Sequence, residues 1–106
     1  MFPTEPLKSS DHYIRLTNGD AASARLSAVQ KQYLEDPFIK YFVPRAQFQA
    51  PKPPLINIGT FLRSTAIDDL VHQWLSLSEH EGKLCQIVSF GAGSDTRFWR
   101  IAVSLR

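Results

Sequence analysis

Leu84-Cys85-Gln86-Ile87-Val88-Ser89-Phe90-Gly91-Ala92-Gly93-Ser94-Asp95-Thr96 is the stretch that decides the fold. It is apolar at nearly every position up to Phe90 and then breaks into a Gly-x-Gly turn. Such a run reads as a strand over 84–90 covered on both faces, because one-sided cover would show as alternation. Glycines are needed after it because the backbone must turn sharply and a ligand can approach closely only where no Cβ intervenes. Amide N–H groups opening the next turn can then bond carboxylate, phosphate or ribose oxygens. The pattern belongs to α/β proteins whose sheet takes a nucleotide-like cofactor at its carboxyl edge. A P-loop is excluded, since no Gly-Lys-Ser or Gly-Lys-Thr follows, and the full dinucleotide fingerprint is broken by Thr96 in the place of the third glycine. Taken alone, the stretch also fits a glycine-tightened turn with no ligand.

Upstream, the chain reads as helical. Residues 1–18 carry prolines, Ser9-Ser10 and a short mixed segment before the Asn18-Gly19 turn signal, and are expected to form a flexible tail. Asp20 is placed to cap a helix over 21–34, with Leu26, Val29, Gln30 and Tyr33 at three- and four-residue spacing. Asp36-Pro37 predicts a second short helix over 37–43, which Pro44 ends. The four prolines between Pro44 and Pro54 predict an exposed, stiffened connection. A third helix is predicted over 57–77, where Ile58, Phe61, Leu62, Ile67, Leu70, Val71, Trp74 and Leu77 repeat along one side. Gly82 turns the chain into the strand, and Asp95 or Thr96 is placed to cap a short helical turn through Arg97, Phe98 and Trp99.

Composition narrows the function. With 106 residues the chain is one domain at most, and its 43% hydrophobic, 11% aromatic and 21% charged content is ordinary for a globular protein. A net charge of +2 with scattered basic residues argues for neither nucleic acid nor a membrane surface. No apolar run approaches the ~20 residues of a membrane span, and the amino terminus does not resemble a signal peptide. A single cysteine, Cys85, forms no intrachain disulfide and no thiolate metal cluster; inside an apolar strand it is expected to be a buried small hydrophobe. His12, His72 and His80 lack metal-ligand spacing, and Trp74, Phe98 and Trp99 read as packing residues. The expected setting is reduced, soluble and cytoplasmic.

Three blocks in order carry a resemblance. They are Asn18-Gly19-Asp20-Ala21-Ala22-Ser23-Ala24-Arg25-Leu26-Ser27-Ala28-Val29 with Tyr33-Leu34-Glu35-Asp36-Pro37-Phe38; Asn57-Ile58-Gly59-Thr60-Phe61-Leu62-Arg63-Ser64-Thr65-Ala66-Ile67-Asp68; and Gln86 through Arg100, containing Phe90-Gly91-Ala92-Gly93-Ser94-Asp95-Thr96. The chain resembles the amino-terminal portion of leucine carboxyl methyltransferases. The resemblance implies helices followed by the first strand of a Rossmann-like α/β methyltransferase fold, with residues 19–106 an incomplete amino-terminal part of the domain. It implies S-adenosylmethionine as cofactor, no metal, and methylation of the carboxyl-terminal leucine of type 2A protein phosphatase catalytic subunits.

By the same resemblance the cofactor's methionine carboxylate falls to Arg25 and Arg63, and the glycine turn at Gly91 and Gly93 passes close to the cofactor. A guanidinium suits that role because its paired donors match a carboxylate in a planar fork. The chain is read as a truncated methyltransferase, expected neither to hold S-adenosylmethionine tightly nor to turn over. Two alternatives accompany this reading: a non-catalytic remnant that binds a partner through its helices, and the related carboxyl methyltransferase of transfer RNA wybutosine synthesis. A nicotinamide-binding Rossmann half is disfavoured by Thr96.

Overall fold

Three helices and two single 3-10 turns account for the regular structure of the computed structural model, which describes residues 10–90 and 92–104. Helix α1 spans Ser10–Gln30, α2 spans Pro54–His80 and α3 spans Arg97–Ser104. The 3-10 turns Ile39–Tyr41 and Ala46–Phe48 lie between α1 and α2.

Helix α1 differs from the sequence expectation at both ends. It begins at Ser10, so residues 10–18 of the expected tail are helical and the Asn18-Gly19 pair lies inside the helix; residues 1–9 fall outside the described residues. A glycine there costs about 1 kcal/mol relative to alanine. Two hydrogen bonds between the Asn18 side chain and Ser94 offset that cost. At the other end the helix stops at Gln30 rather than Leu34. Gln32 takes a left-handed backbone (φ 68°), and the Gln32 and Tyr33 N–H groups donate to the carbonyls of Val29 and Ala28 at 3.0 and 2.8 Å. This is a Schellman closure made with glutamine where glycine is usual.

The predicted second helix over 37–43 is only the 3-10 turn Ile39–Tyr41. The Asp36 carboxylate accepts the Phe38 N–H at 3.0 Å and tightens the backbone into that turn. Ile39, which is fully buried, and Val43 close over Ala22 and Leu26 of α1, with Val29, Phe42 and Ala46 packed around them. Ala22, Leu26 and Val29 share one face of α1 by their spacing. This small cluster is the core of the described residues.

Helix α2 runs three residues further at each end than predicted. Pro54 starts it at a position that needs no N–H donor, and Gly82 (φ 67°) ends it, with Gly82 N–H on Glu79 O at 3.1 Å and Lys83 N–H on Ser78 O at 2.9 Å. Its first turns are tied to α1 by buried polar groups: Ser27 Oγ donates to Asn57 Oδ1 at 2.8 Å and accepts the Lys52 N–H at 2.7 Å. Further along, Leu62, Leu70 and Trp74 are exposed. A 27-residue helix is about 40 Å long, and most of its apolar side is uncovered. The radius of gyration, 17.2 Å, accordingly exceeds the roughly 13 Å of a compact chain of 100 residues.

The predicted strand is the main departure. Residues 84–90 run from α2 to the glycine turn without forming a β-ladder, and the described residues are helical throughout their regular structure. A strand satisfies its N–H and C=O groups only against a neighbour, and the described residues supply none. Leu84, Val88 and Phe90 are exposed, and so is Cys85, whose expected burial required a sheet around it. Of the aromatic residues expected to pack, Trp99 meets Phe42 at 5.3 Å between ring centroids, while Trp74 and Phe98 stay largely exposed.

Candidate functional site

Where α1, the middle of α2 and the start of α3 converge, the chain encloses an open cavity of about 420 Å³. One side of α1 contributes Asn18 and Arg25; α2 contributes Arg63, Ser64 and Asp68; the segment after the glycines contributes Ser94 through Arg97. Arg25 and Arg63, which sequence reasoning placed at one ligand, therefore line one cavity.

Their surroundings differ. The Arg25 side chain is 15% exposed and is held at two points: Nε donates to Asp36 Oδ2 at 2.6 Å and Nη1 to Ser64 Oγ at 2.9 Å. Arg63 is exposed and has no hydrogen bond or ion pair among the described residues. One guanidinium is fixed and the other is available.

Gly93 has a left-handed backbone (φ 60°), and a Cβ there would collide with the Asn18 side chain, 2.9 Å from its Cγ. Gly91 lies outside the described residues. Asn18 pins the turn: its Nδ2 donates to Ser94 Oγ at 3.1 Å, and its Oδ1 accepts the Ser94 N–H at 2.9 Å. Replacing Gly93 by alanine is expected to cost about 1–2 kcal/mol for the left-handed backbone, and to expel Asn18 from both bonds. The double replacement with Asn18→Ala should cost less than the sum of the two single ones, a comparison that urea denaturation of the four chains makes directly.

Asp95 behaves as the sequence suggested, its Oδ1 accepting the Arg97 N–H at 2.9 Å at the start of α3. Thr96 is buried, and its hydroxyl donates to Asp36 Oδ2 at 2.6 Å and accepts Arg100 Nε at 3.0 Å. Arg100 Nη1 continues to Asp68 Oδ2 at 2.6 Å. The network thus runs from α1 through Asp36 and Thr96 to α3 and back to α2. Sequence reasoning missed the parts played by Asp36, Thr96, Asn18 and Asp68. Asp36 and Asn18 were legible only as local cap and turn residues, and no periodicity in a single sequence pairs Asp36 with a residue 60 positions away.

Burial pushes the Asp36 carboxyl up, but hydrogen bonds from Thr96, Arg25 and the Phe38 N–H, with the Arg25 charge, outweigh it and hold the group below its ordinary value of 3.8. Asp36 is therefore a carboxylate at neutral pH. The cavity wall carries four arginines and two aspartates, and Asp36 behind it brings the local balance to one positive charge. Arg97 Nε is buried there with no hydrogen-bond partner, Asp68 Oδ1 being 3.6 Å away. A buried donor left without a hydrogen bond is costly, and the Asp68 carboxylate beside it offsets part of that cost through its charge. The donor set fits a ligand with a carboxylate. Among the described residues no group of His, Cys, Asp or Glu is placed to hold a metal ion, and no helix is long and apolar enough to cross a membrane.

The family model of leucine carboxyl methyltransferase matches residues 14–104, which take in α1 from its second turn, the cavity and α3. The chain belongs to the leucine carboxyl methyltransferase family. Among curated relatives, leucine carboxyl methyltransferase 1 of Cryptococcus neoformans is 50% identical over 107 residues, covering 91% of this chain and 29% of the relative. The Emericella nidulans protein of the same name is 45% identical over 103 residues, covering 92% and 26%. That of Schizosaccharomyces pombe is 43% identical over 84 residues, covering 79% and 26%. The chain thus spans between a quarter and a third of the length of these three relatives. No solved structure matches it. A methyltransferase family implies use of a methyl donor, and S-adenosylmethionine, which carries a methionine carboxylate, agrees with the basic cavity.

Proposed function

We propose that these residues form the cofactor-carboxylate side of an S-adenosylmethionine-dependent methyltransferase that esterifies the carboxyl-terminal leucine of type 2A protein phosphatase catalytic subunits. The observation that carries the reading is the convergence of Arg25, Arg63 and the segment that follows the glycine turn on one positively charged cavity. Arg25 would present its remaining N–H groups and Arg63 its whole guanidinium to the methionine carboxylate, while Gly91 and Gly93 let the backbone approach the cofactor. Residues 84–90 would form the first strand of a Rossmann-like α/β sheet, a role supported by their apolar sequence and uncovered side chains. A cytoplasmic setting belongs to the same proposal.

When bound, the cofactor supplies an electrophilic methyl on a sulfonium. The described residues contribute placement: two arginines fix the carboxylate end, and alignment of the reacting groups is where such a transfer gains most of its rate. They address one end of the cofactor only, so on their own they should hold it weakly.

The test is a chimaera in which residues 14–104 replace the matching part of the Cryptococcus neoformans relative. With radiolabelled S-adenosylmethionine and purified phosphatase it should deposit a base-labile methyl ester, and removal of the terminal leucine should abolish labelling. A folded, cofactor-binding chimaera that labels the phosphatase equally well without that leucine would overturn the substrate assignment.

A second reading, a partner-binding helical module, rests on the exposed apolar residues Leu62, Leu70 and Trp74 of α2. In a complete α/β domain a helix of this kind would be covered by the sheet.

A further inference from the structure

We propose that Asp36 is a positioning residue, whose carboxylate fixes the Arg25 guanidinium and the Thr96 hydroxyl on a single oxygen and so sets the carboxylate-binding donor of α1 against the far end of the glycine turn. The inference rests on the reading of Arg25 as a cofactor-carboxylate donor.

Asp36 does more than cap a turn. Capping requires only Oδ1, which accepts the Phe38 N–H at 3.0 Å. Oδ2 is used elsewhere, taking Arg25 Nε and Thr96 Oγ1 at 2.6 Å each, with Arg100 Nε at 3.9 Å. The Asp36 side chain is fully buried. A cap alone would sit as well at the surface, where its carboxylate would keep its water. Burying a carboxylate is costly unless donors surround it, and the donors here come from 11 and 60 residues away, on two elements that both line the cavity.

The consequence for Arg25 is geometric. A guanidinium has five N–H donors in a rigid plane. With Nε on Asp36 and Nη1 on Ser64, two contacts fix that plane. The unused N–H groups then have one orientation, so little side-chain entropy remains to be lost when a carboxylate arrives. Thr96 extends the same restraint to the turn, because it is two residues after Ser94, which Asn18 holds independently. Asp36 and Asn18 thus register the segment after the glycines against α1 through side chains.

The test uses Asp36→Asn, which keeps an acceptor for the Phe38 N–H and removes the charge. In the 106-residue chain, the Arg25 Nε–H resonance should be downfield and slow to exchange, and should lose both properties in the variant while far-UV circular dichroism is unchanged. In the chimaera, affinity for S-adenosylmethionine should fall at least about tenfold, as for a lost charge-assisted contact. Affinity for 5′-methylthioadenosine, which lacks the methionine carboxylate, should change by less than about twofold. A general loss of structure would weaken both ligands alike, and that outcome, or an unchanged Arg25 resonance, overturns the proposal. Asp36→Glu retains the charge but cannot meet both donors at once; it should show the same selectivity at reduced size and decides the matter if Asp36→Asn does not fold. If the unsubstituted chimaera binds neither ligand, the cofactor reading fails, while the Arg25 resonance still reports whether Asp36 holds that side chain.

Discussion

Asp36→Ala is expected to lower the stability of the chain by about 3–5 kcal/mol, the cost of breaking a buried ion pair from one side. The replacement leaves Arg25 partly buried without its carboxylate, the Thr96 hydroxyl without its acceptor and the Phe38 N–H without its cap. Domains of this size have about 5–15 kcal/mol in total, and the core here is a small cluster around Leu26, Ile39 and Val43. Urea denaturation followed by circular dichroism should report the loss as a lower transition midpoint. The same carboxylate sets an acid limit. Its pKa is depressed in the folded chain, so its contribution is complete above the ordinary value of 3.8 and is lost as pH falls through the lower folded value. Stability measured from about pH 6 down to about pH 2 should fall steeply below about pH 4, and Asp36→Asn should remove much of that slope.

Arg63→Ala is expected to do the opposite: to leave stability within about 0.5 kcal/mol, as for exposed residues without partners, and to weaken S-adenosylmethionine binding in the chimaera by about 10–100-fold, the range of a hydrogen bond to a charged group worth 1.5–3 kcal/mol. Arg63 is exposed and unengaged among the described residues, so little of the fold depends on it. Arg25→Ala should lower both quantities, because Arg25 serves Asp36 and Ser64 as well as the cavity. Parallel denaturation and calorimetric titration of the two variants separates the residue that only binds from the one that also holds the fold. Equal destabilisation by the two replacements would contradict the assignment.

The parts of the fold visible in the sequence are those decided locally. Gly82 turns the chain after α2 because it can take a left-handed backbone, whereas Pro54, expected in the connection, starts the helix three residues early at a position that needs no N–H donor. Asp95 caps α3 as its side chain and position dictate. The misreadings have a common physical origin in groups outside the segment. Asn18-Gly19 reads as a turn until Ser94 arrives to bond the asparagine. Leu84–Phe90 reads as a strand, yet strand geometry is completed by a neighbour that the described residues do not contain. Gln32 in a left-handed conformation ends α1 where no glycine marks the stop. At the site, Arg25 and Arg63 could be named from a family likeness. The Asp36–Thr96 contact that links α1 to α3 lies between polar residues whose sequence signals were both satisfied by capping.

The structure of the chimaera with S-adenosylmethionine bound decides whether the basic cavity takes the carboxylate end of the cofactor. The methionine carboxylate should lie within about 3 Å of guanidinium nitrogens of both Arg25 and Arg63, with Arg25 still on Asp36. A carboxylate bound elsewhere, with Arg63 in solvent and the cavity empty, would contradict it.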